Sequence, residues 1–182
     1  MKQNKKGRTS LLFLTHAGVI AAVYTALTVL LQPLSYGALQ VRVSELLTIL
    51  PVYTPAAVPG LAVGCFLSNL LGLSAGTNPA GGWDLLLGTA ATLIAAWVSR
   101  KVGDVRFGGL PVLSTLPPVI INALVVGTEL YAVYGGFPWW LHVVSVAGGQ
   151  AVACVGGGLL LAVTFEKTGV VRHLTNKNGQ FL

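Results

Sequence analysis

Leu110-Pro-Val-Leu-Ser-Thr-Leu-Pro-Pro-Val-Ile-Ile-Asn-Ala-Leu-Val-Val-Gly-Thr-Glu-Leu-Tyr-Ala-Val133 holds 24 residues and one charge, Glu129. About 20 mostly apolar residues are enough for an α-helix to cross a bilayer. A barrel strand would instead alternate apolar and polar positions over about ten residues, and this stretch does not. The stretch therefore reads as a membrane helix. Outward from it, similar stretches cover roughly Ser10–Gln32, Pro59–Leu73, Trp83–Ser99 and Trp139–Phe165. A shorter one near Arg42–Tyr53 begins with polar residues, and Pro51, Pro55 and Pro59 punctuate its exit. Together these predict an all-α integral membrane protein, a bundle of about six transmembrane helices. Pro33 is expected to end the first, and Pro117-Pro118 to kink the fifth. The Ser74–Gly82 and Tyr134–Pro138 stretches are expected to be loops.

The composition supports this. Of the 182 residues 54% are hydrophobic and 9% charged, with mean hydropathy +0.77. Soluble domains carry about 25% charge. Between Leu11 and Phe165 there are eight charged residues. Arg100, Lys101, Asp104 and Arg106 share one short loop, and Arg42, Glu45, Asp84 and Glu129 are scattered through apolar sequence. The remaining basic charge lies at the two ends, Lys2–Arg8 and Lys167–Lys177. Basic loops stay on the cytoplasmic side, so both termini are expected inside. The expected organisation is a basic N-terminus (1–9), a membrane domain (10–166) and a cytoplasmic tail (167–182). The net charge of +6 marks orientation and lipid contact, not nucleic acid.

No catalytic constellation stands out. Cys65 and Cys154 lack zinc or redox spacing and read as small packing residues. His16, His142 and His173 are far from one another in sequence and from acidic partners. There is no phosphate-binding loop of the P-loop kind. No metal and no cofactor are expected.

The scattered polar residues carry the functional signal, because lipid offers them no partners. Arg42 and Glu45 are three apart and would share a helix face, able to pair; Ser44 and Glu45 would also suit a helix start. Asp84 suits the first turn of the fourth span. Asn122 lies seven residues before Glu129, two turns along the same face. Asn69 reaches a similar depth, and Gln150 sits among small residues in the last span. A pocket open to the outside is the reading favoured over scattered interhelical bonds. Tyr131, Tyr134, Phe137, Trp139 and Trp140 form either an interfacial belt or stacking surfaces for a flat ligand. Small residues recur every four positions: Gly60-Gly64-Ser68-Gly72, Gly149-Ala153-Gly157, Ala17-Ala21 and Gly18-Ala22-Ala26. Such ridges serve packing within the bundle or docking of another membrane protein.

Several of these elements occur together in a known family. The chain resembles the QueT family in Ala17–Tyr24, in Leu39-Gln-Val-Arg-Val-Ser-Glu45, in Ser68-Asn69, in Trp83-Asp84, and in Asn122 with Val125-Val-Gly-Thr-Glu129. The resemblance covers about Leu12–Phe165. It implies a substrate-capture (S) component of an energy-coupling-factor (ECF) uptake transporter, in a bacterial cell membrane. The implied ligand is a queuosine precursor or related deazapurine base, taken from outside. The implied partners are a membrane scaffold subunit and two ATPase subunits, which would hydrolyse ATP in place of this chain. The resemblance places docking on Ala17 and Ala21. Arg42, Glu45, Asn69, Asp84, Asn122, Glu129, Trp139 and Gln150 are the expected substrate-binding residues. Gln150 stands where a glutamate would be expected after Gly148-Gly149. The alternatives are an S component for another vitamin-like solute, a structural membrane subunit without a ligand, and a membrane enzyme.

Overall fold

A computed structural model describes residues 2–36, 40–78 and 80–169. Leu39 and the tail beyond Gly169 lie outside the described residues. Helix α1 (Lys2–Leu30) is followed by a short α2 (Gln32–Ser35), a 3₁₀ helix (Val43–Val52) and α3 (Ala57–Ser74). Then come α4 (Gly82–Lys101), a 3₁₀ turn (Val112–Thr115), α5 (Leu116–Tyr134) and α6 (Trp139–Gln150). A π-helical stretch (Ala151–Gly157) joins α6 to α7 (Gly158–Thr168). Helices long and apolar enough to cross a membrane cover Ser10–Leu30, Ala57–Ser74, Gly82–Lys101, Val112–Tyr134 and Trp139–Thr168. The protein is thus an all-α membrane protein.

The expected second span takes a different form. It is ten residues long and 3₁₀, not a full membrane helix. At about 2.0 Å per residue such a helix reaches about 20 Å, against about 15 Å for the α form. Its two ends lie against the two ends of α4. Arg42, just before it, pairs with Asp84 in the first turn of α4, and the Pro51 carbonyl accepts a bond from Arg100 Nη1 in the last turn (2.9 Å). Ser44, Glu45 and the run Leu47–Val52 are all buried, with Val43 and Leu46 half-buried, so the bundle encloses most of the segment. That burial is the condition under which irregular backbone is tolerated at membrane depth. The segment packs against α1, α4, α7 and the π stretch.

Around it, α1 packs on α3, α3 on α4, α4 on α5 and α5 on α6. Small residues set how closely these helices approach. A Cβ on Gly60 would lie 2.8 Å from the Ala17 carbonyl, and one on Gly64 would lie 3.0 Å from that of Ala21. The expected ridge of α3 is therefore the α1 contact. A Cβ on Gly149 would collide with the Gln40 carbonyl, and one on Gly157 would lie 3.0 Å from Leu46. The second ridge thus seats the chain entering and forming the 3₁₀ helix.

Several prolines act at helix starts, while Pro51 lies inside the 3₁₀ helix. Pro117 and Pro118 stand in the first turn of α5, where backbone N–H groups have no intrahelical partner, so they open the helix after a 3₁₀ turn instead of kinking its middle. Arg100 and Lys101 close α4, where positive charge complements the helix dipole. The exterior is apolar: Leu11, Leu14, Leu86, Ile94, Ile120, Val144 and Leu160 are all exposed. Hydroxyls on the outer face bond back into their own helices, as Thr15 to Leu11, Thr128 to Leu124 and Thr164 to Leu160. In the loop after α4 Arg106 pairs with Glu166, and Tyr53 donates to the same carboxylate (3.3 Å). Burial and the Glu166 charge push the Tyr53 hydroxyl above its ordinary pKa, with Arg106 opposing. The phenol therefore stays a donor.

Candidate substrate-binding site

The interior holds a connected set of polar side chains toward the Asp84 end of α4. Arg42 Nη2 meets Asp84 Oδ2 at 3.1 Å, and both side chains are buried. Asn78 Nδ2 donates to the same carboxylate oxygen (2.8 Å), while its own Oδ1 accepts from the Ala80 N–H. Asn69 Nδ2 donates to the Asp84 carbonyl (2.8 Å) and so ties α3 to the first turn of α4. The other Asp84 oxygen lies over Gly88, where any larger residue would collide with it. Arg42 also points Nη1 at Cys65 Sγ (3.7 Å).

Tyr36 covers this group. Its ring lies 5.4 Å from the Arg42 guanidinium, and its hydroxyl donates to the Ser68 carbonyl (2.7 Å). A Cβ on Gly72 would strike the ring, so that glycine makes room for it. Burial raises the Tyr36 pKa despite the nearby Arg42 charge, which keeps the phenol protonated. Above it a cavity of about 300 Å³ is lined by Gln32, Pro33, Tyr36 and Thr77. That volume is at the lower end for small-molecule pockets.

Glu45 sits one step deeper, in the first turn of the 3₁₀ helix. Oε1 accepts from the Tyr24 hydroxyl of α1, and Oε2 accepts from Asn122 Nδ2 of α5 (3.4 Å). Ser44 beside it shares a hydroxyl contact with Thr28 (2.6 Å). From the last helix Cys154 Sγ approaches Gln150 Oε1 (3.2 Å). Glu129 completes the set. It is 5% exposed, and neither carboxylate oxygen has a hydrogen-bond partner among the described residues. Arg42 and Asp84 both lie within electrostatic reach of it. Asn122 Oδ1 is likewise buried without a partner among them. Seven expected site residues, Arg42, Glu45, Asn69, Asp84, Asn122, Glu129 and Gln150, are therefore interior, on five different segments. An arrangement of this kind can hold a small polar solute by directed hydrogen bonds and charge.

The family profile described as QueT transporter matches residues 14–167. The chain belongs to the QueT transporter family. The protein named Queuosine precursor transporter QueT in Lactococcus lactis subsp. cremoris (strain MG1363) is 32% identical over 79 residues. That match covers 42% of this chain and 42% of that relative's length. No solved structure matches the chain significantly.

Other expectations meet a different arrangement in this QueT-family chain. Arg42 and Glu45 do not pair with each other. Arg42 precedes the helix with extended backbone (φ −88°, ψ 96°), so the three-residue spacing does not place it on the Glu45 face. Ser44 makes no capping bond, because its hydroxyl faces Thr28. Trp139 is not drawn into the polar set. It is 44% exposed, and its indole N–H donates to the exposed Thr128 (2.9 Å). Tyr131, Tyr134, Phe137 and Trp140 are exposed as well, forming an outer surface and not a lining. Ala17 and Ala21 face α3 through Gly60 and Gly64, so the expected docking face is an internal contact. Gly18, Ala22 and Ala26 of α1 do face outward. Sequence reasoning missed Tyr24, Tyr36 and Asn78. The signal for Asn78 was present in the Asn-Pro turn before Asp84, whereas the tyrosines resemble any membrane tyrosine.

Proposed function

We propose that this protein captures a queuosine precursor or a related deazapurine base from outside the cell, as the S component of an ECF-type transporter. The observation that carries the reading is Glu129, a buried carboxylate without a hydrogen-bond partner among the described residues, set among Asn122, Arg42 and Asp84 in a QueT-family chain. A carboxylate kept inside a membrane bundle is expensive, and a bound solute offsets that cost. Asparagine amides and carboxylates suit the dense donor and acceptor edge of such a base.

In this reading Arg42, Glu45, Asn69 and Asp84 hold the framework of the site, and Asn122, Glu129 and Gln150 face the ligand. Tyr36 closes it from the outer cavity. Both termini are cytoplasmic and the cavity above Tyr36 opens outward, in agreement with the basic loop and ends. A separate membrane scaffold and two ATPase subunits supply the energy. The ligand comes from the relative's name and the partners from the family resemblance.

The test is a binding screen of the purified full chain in detergent or lipid nanodiscs. Saturable binding of deazapurine bases, with common vitamins inactive, is the expected result. Binding of a vitamin alone would reassign the ligand, and a protein that binds neither class would have another role.

A further inference from the structure

We propose that an anionic phospholipid binds at the basic-loop end of α4, with its phosphate on Lys101 and Arg100 and an acyl chain between α4 and α5. The site is separate from the interior polar set and does not depend on what that set binds. Two cavities, each of about 330 Å³, carry the proposal. The first is a polar cleft between Val52, at the end of the 3₁₀ helix, and the last turn of α4; Trp97, Arg100, Lys101 and Asp104 line it. The second is a groove, apolar throughout. Val98 and Val102, at the end of α4, face Leu113 of the 3₁₀ turn and Leu116, Ile120 and Ile121 of α5 across it. Trp97 and Lys101 are four residues apart and form one stripe of α4, and Val98 and Val102 continue the next stripe, one residue round. Cleft and groove therefore flank the same turn, with Lys101 between them.

The two halves suit the two parts of one molecule. In the cleft Arg100 and Lys101 set two positive charges against the one negative charge of Asp104, which favours an anion. Arg100 Nη1 donates to the Pro51 carbonyl (2.9 Å), and the Lys101 ammonium lies 5.5 Å from the centre of the Trp97 ring, so both cations are held in place. Trp97 is exposed, as a tryptophan at headgroup level is. A phosphate takes charge-assisted bonds from such cations, while Asp104 can only accept and suits a headgroup hydroxyl. The groove offers water no polar partner, and a gap there forfeits dispersion contacts. Leu116 and Ile120 are exposed, so a chain can enter from the side. A free anion would leave the groove unused, and a plain hydrocarbon the cleft.

The experiment titrates lipids of identical chains into the full chain in detergent and counts bound molecules by native mass spectrometry. Phosphatidylglycerol is expected to bind about fivefold tighter than phosphatidylethanolamine, the effect of one net charge near a membrane surface. Lys101→Gln is expected to bring that ratio toward one. Ile120→Trp, which fills the groove, is expected to weaken both lipids and keep the ratio. Thermal unfolding checks that the variants are folded, and Leu116→Trp on the same wall replaces Ile120→Trp should it fail. Equal or reversed lipid preference, or a preference untouched by Lys101→Gln, would overturn the proposal. So would inorganic phosphate bound as tightly as lipid, which would make the cleft a free-anion site. A dimer that Ile120→Trp dissociates would put a second copy of the chain in the groove and overturn it too.

Discussion

Two ion pairs among the described residues sit in opposite surroundings, and this decides what each is worth. Arg42 and Asp84 are 5% and 1% exposed, whereas Arg106 and Glu166 are 36% and 37% exposed. Removing one partner of a buried pair leaves an uncompensated charge, at a cost of roughly 3–5 kcal/mol. An exposed pair contributes about 0–1 kcal/mol. Asp84→Ala is therefore expected to lower the unfolding midpoint in detergent sharply, and Arg106→Ala hardly at all; similar shifts would mean that Arg42 finds another partner or reaches water. A second residue-level contrast lies in two adjacent glycines. A Cβ at Gly149 would collide with the Gln40 carbonyl, while one at Gly148 meets nothing within 4 Å. Gly149→Ala is expected to destabilise and Gly148→Ala to be neutral, both read as thermal midpoints. The identities of the interior charges were legible in the sequence, since lipid rejects them. Their partners were not. Arg42 meets Asp84 across 42 residues, and no local spacing encodes that choice.

Among the elements, the long helices follow from apolar length alone, and their prolines and basic ends mark the termini. The short segment does not. Ten residues with Arg42 and Glu45 at the entrance and Pro51 near the exit resemble a truncated span, but neighbours on every side draw it into a stretched 3₁₀ form. The π-helical stretch was also hidden, because Ala151–Gly157 reads as ordinary small-residue helix. Helix α1 offers a direct test of which small residues do what. Ala21 is buried against Gly64, and Ala22 is exposed. Ala21→Leu is expected to cost about 1–3 kcal/mol through overpacking. Ala22→Leu is expected to leave the isolated protein within about 0.5 kcal/mol of the original. Loss of stability in Ala22→Leu but not in Ala21→Leu, measured by thermal unfolding, would reverse the assignment of the two faces.

At the level of the molecule, the bundle is apolar outside and carries a connected polar set within an otherwise apolar core. Its orientation is open to a simple measurement, because Cys65 and Cys154 are both buried and will be silent to labelling. Thr77, exposed at the end of α3, and Asp104, in the basic loop, lie at opposite ends of α4. In intact cells a membrane-impermeant maleimide is expected to label Thr77→Cys at once, and Asp104→Cys only after permeabilisation. The converse pattern would turn the protein over and place the cavity above Tyr36 on the inner side.

The short 3₁₀ segment also has a history during synthesis. It is too brief to be recognised by the insertion machinery as a span, and each charge at a helix centre costs about 2.5–3.5 kcal/mol on the insertion scale. Tyr24 and Thr28 of α1 precede it, but its other polar contacts are made later: Asp84 follows Arg42 by 42 residues, Asn122 follows Glu45 by 77, and Cys154 follows it by 109. The 3₁₀ segment is therefore expected to stay at the water boundary until the later helices are made. A nascent chain arrested after α3 is expected to leave Ser44→Cys open to a water-soluble reagent that cannot reach it in the finished protein; protection already at that length would show that α1 and α3 shelter the segment by themselves.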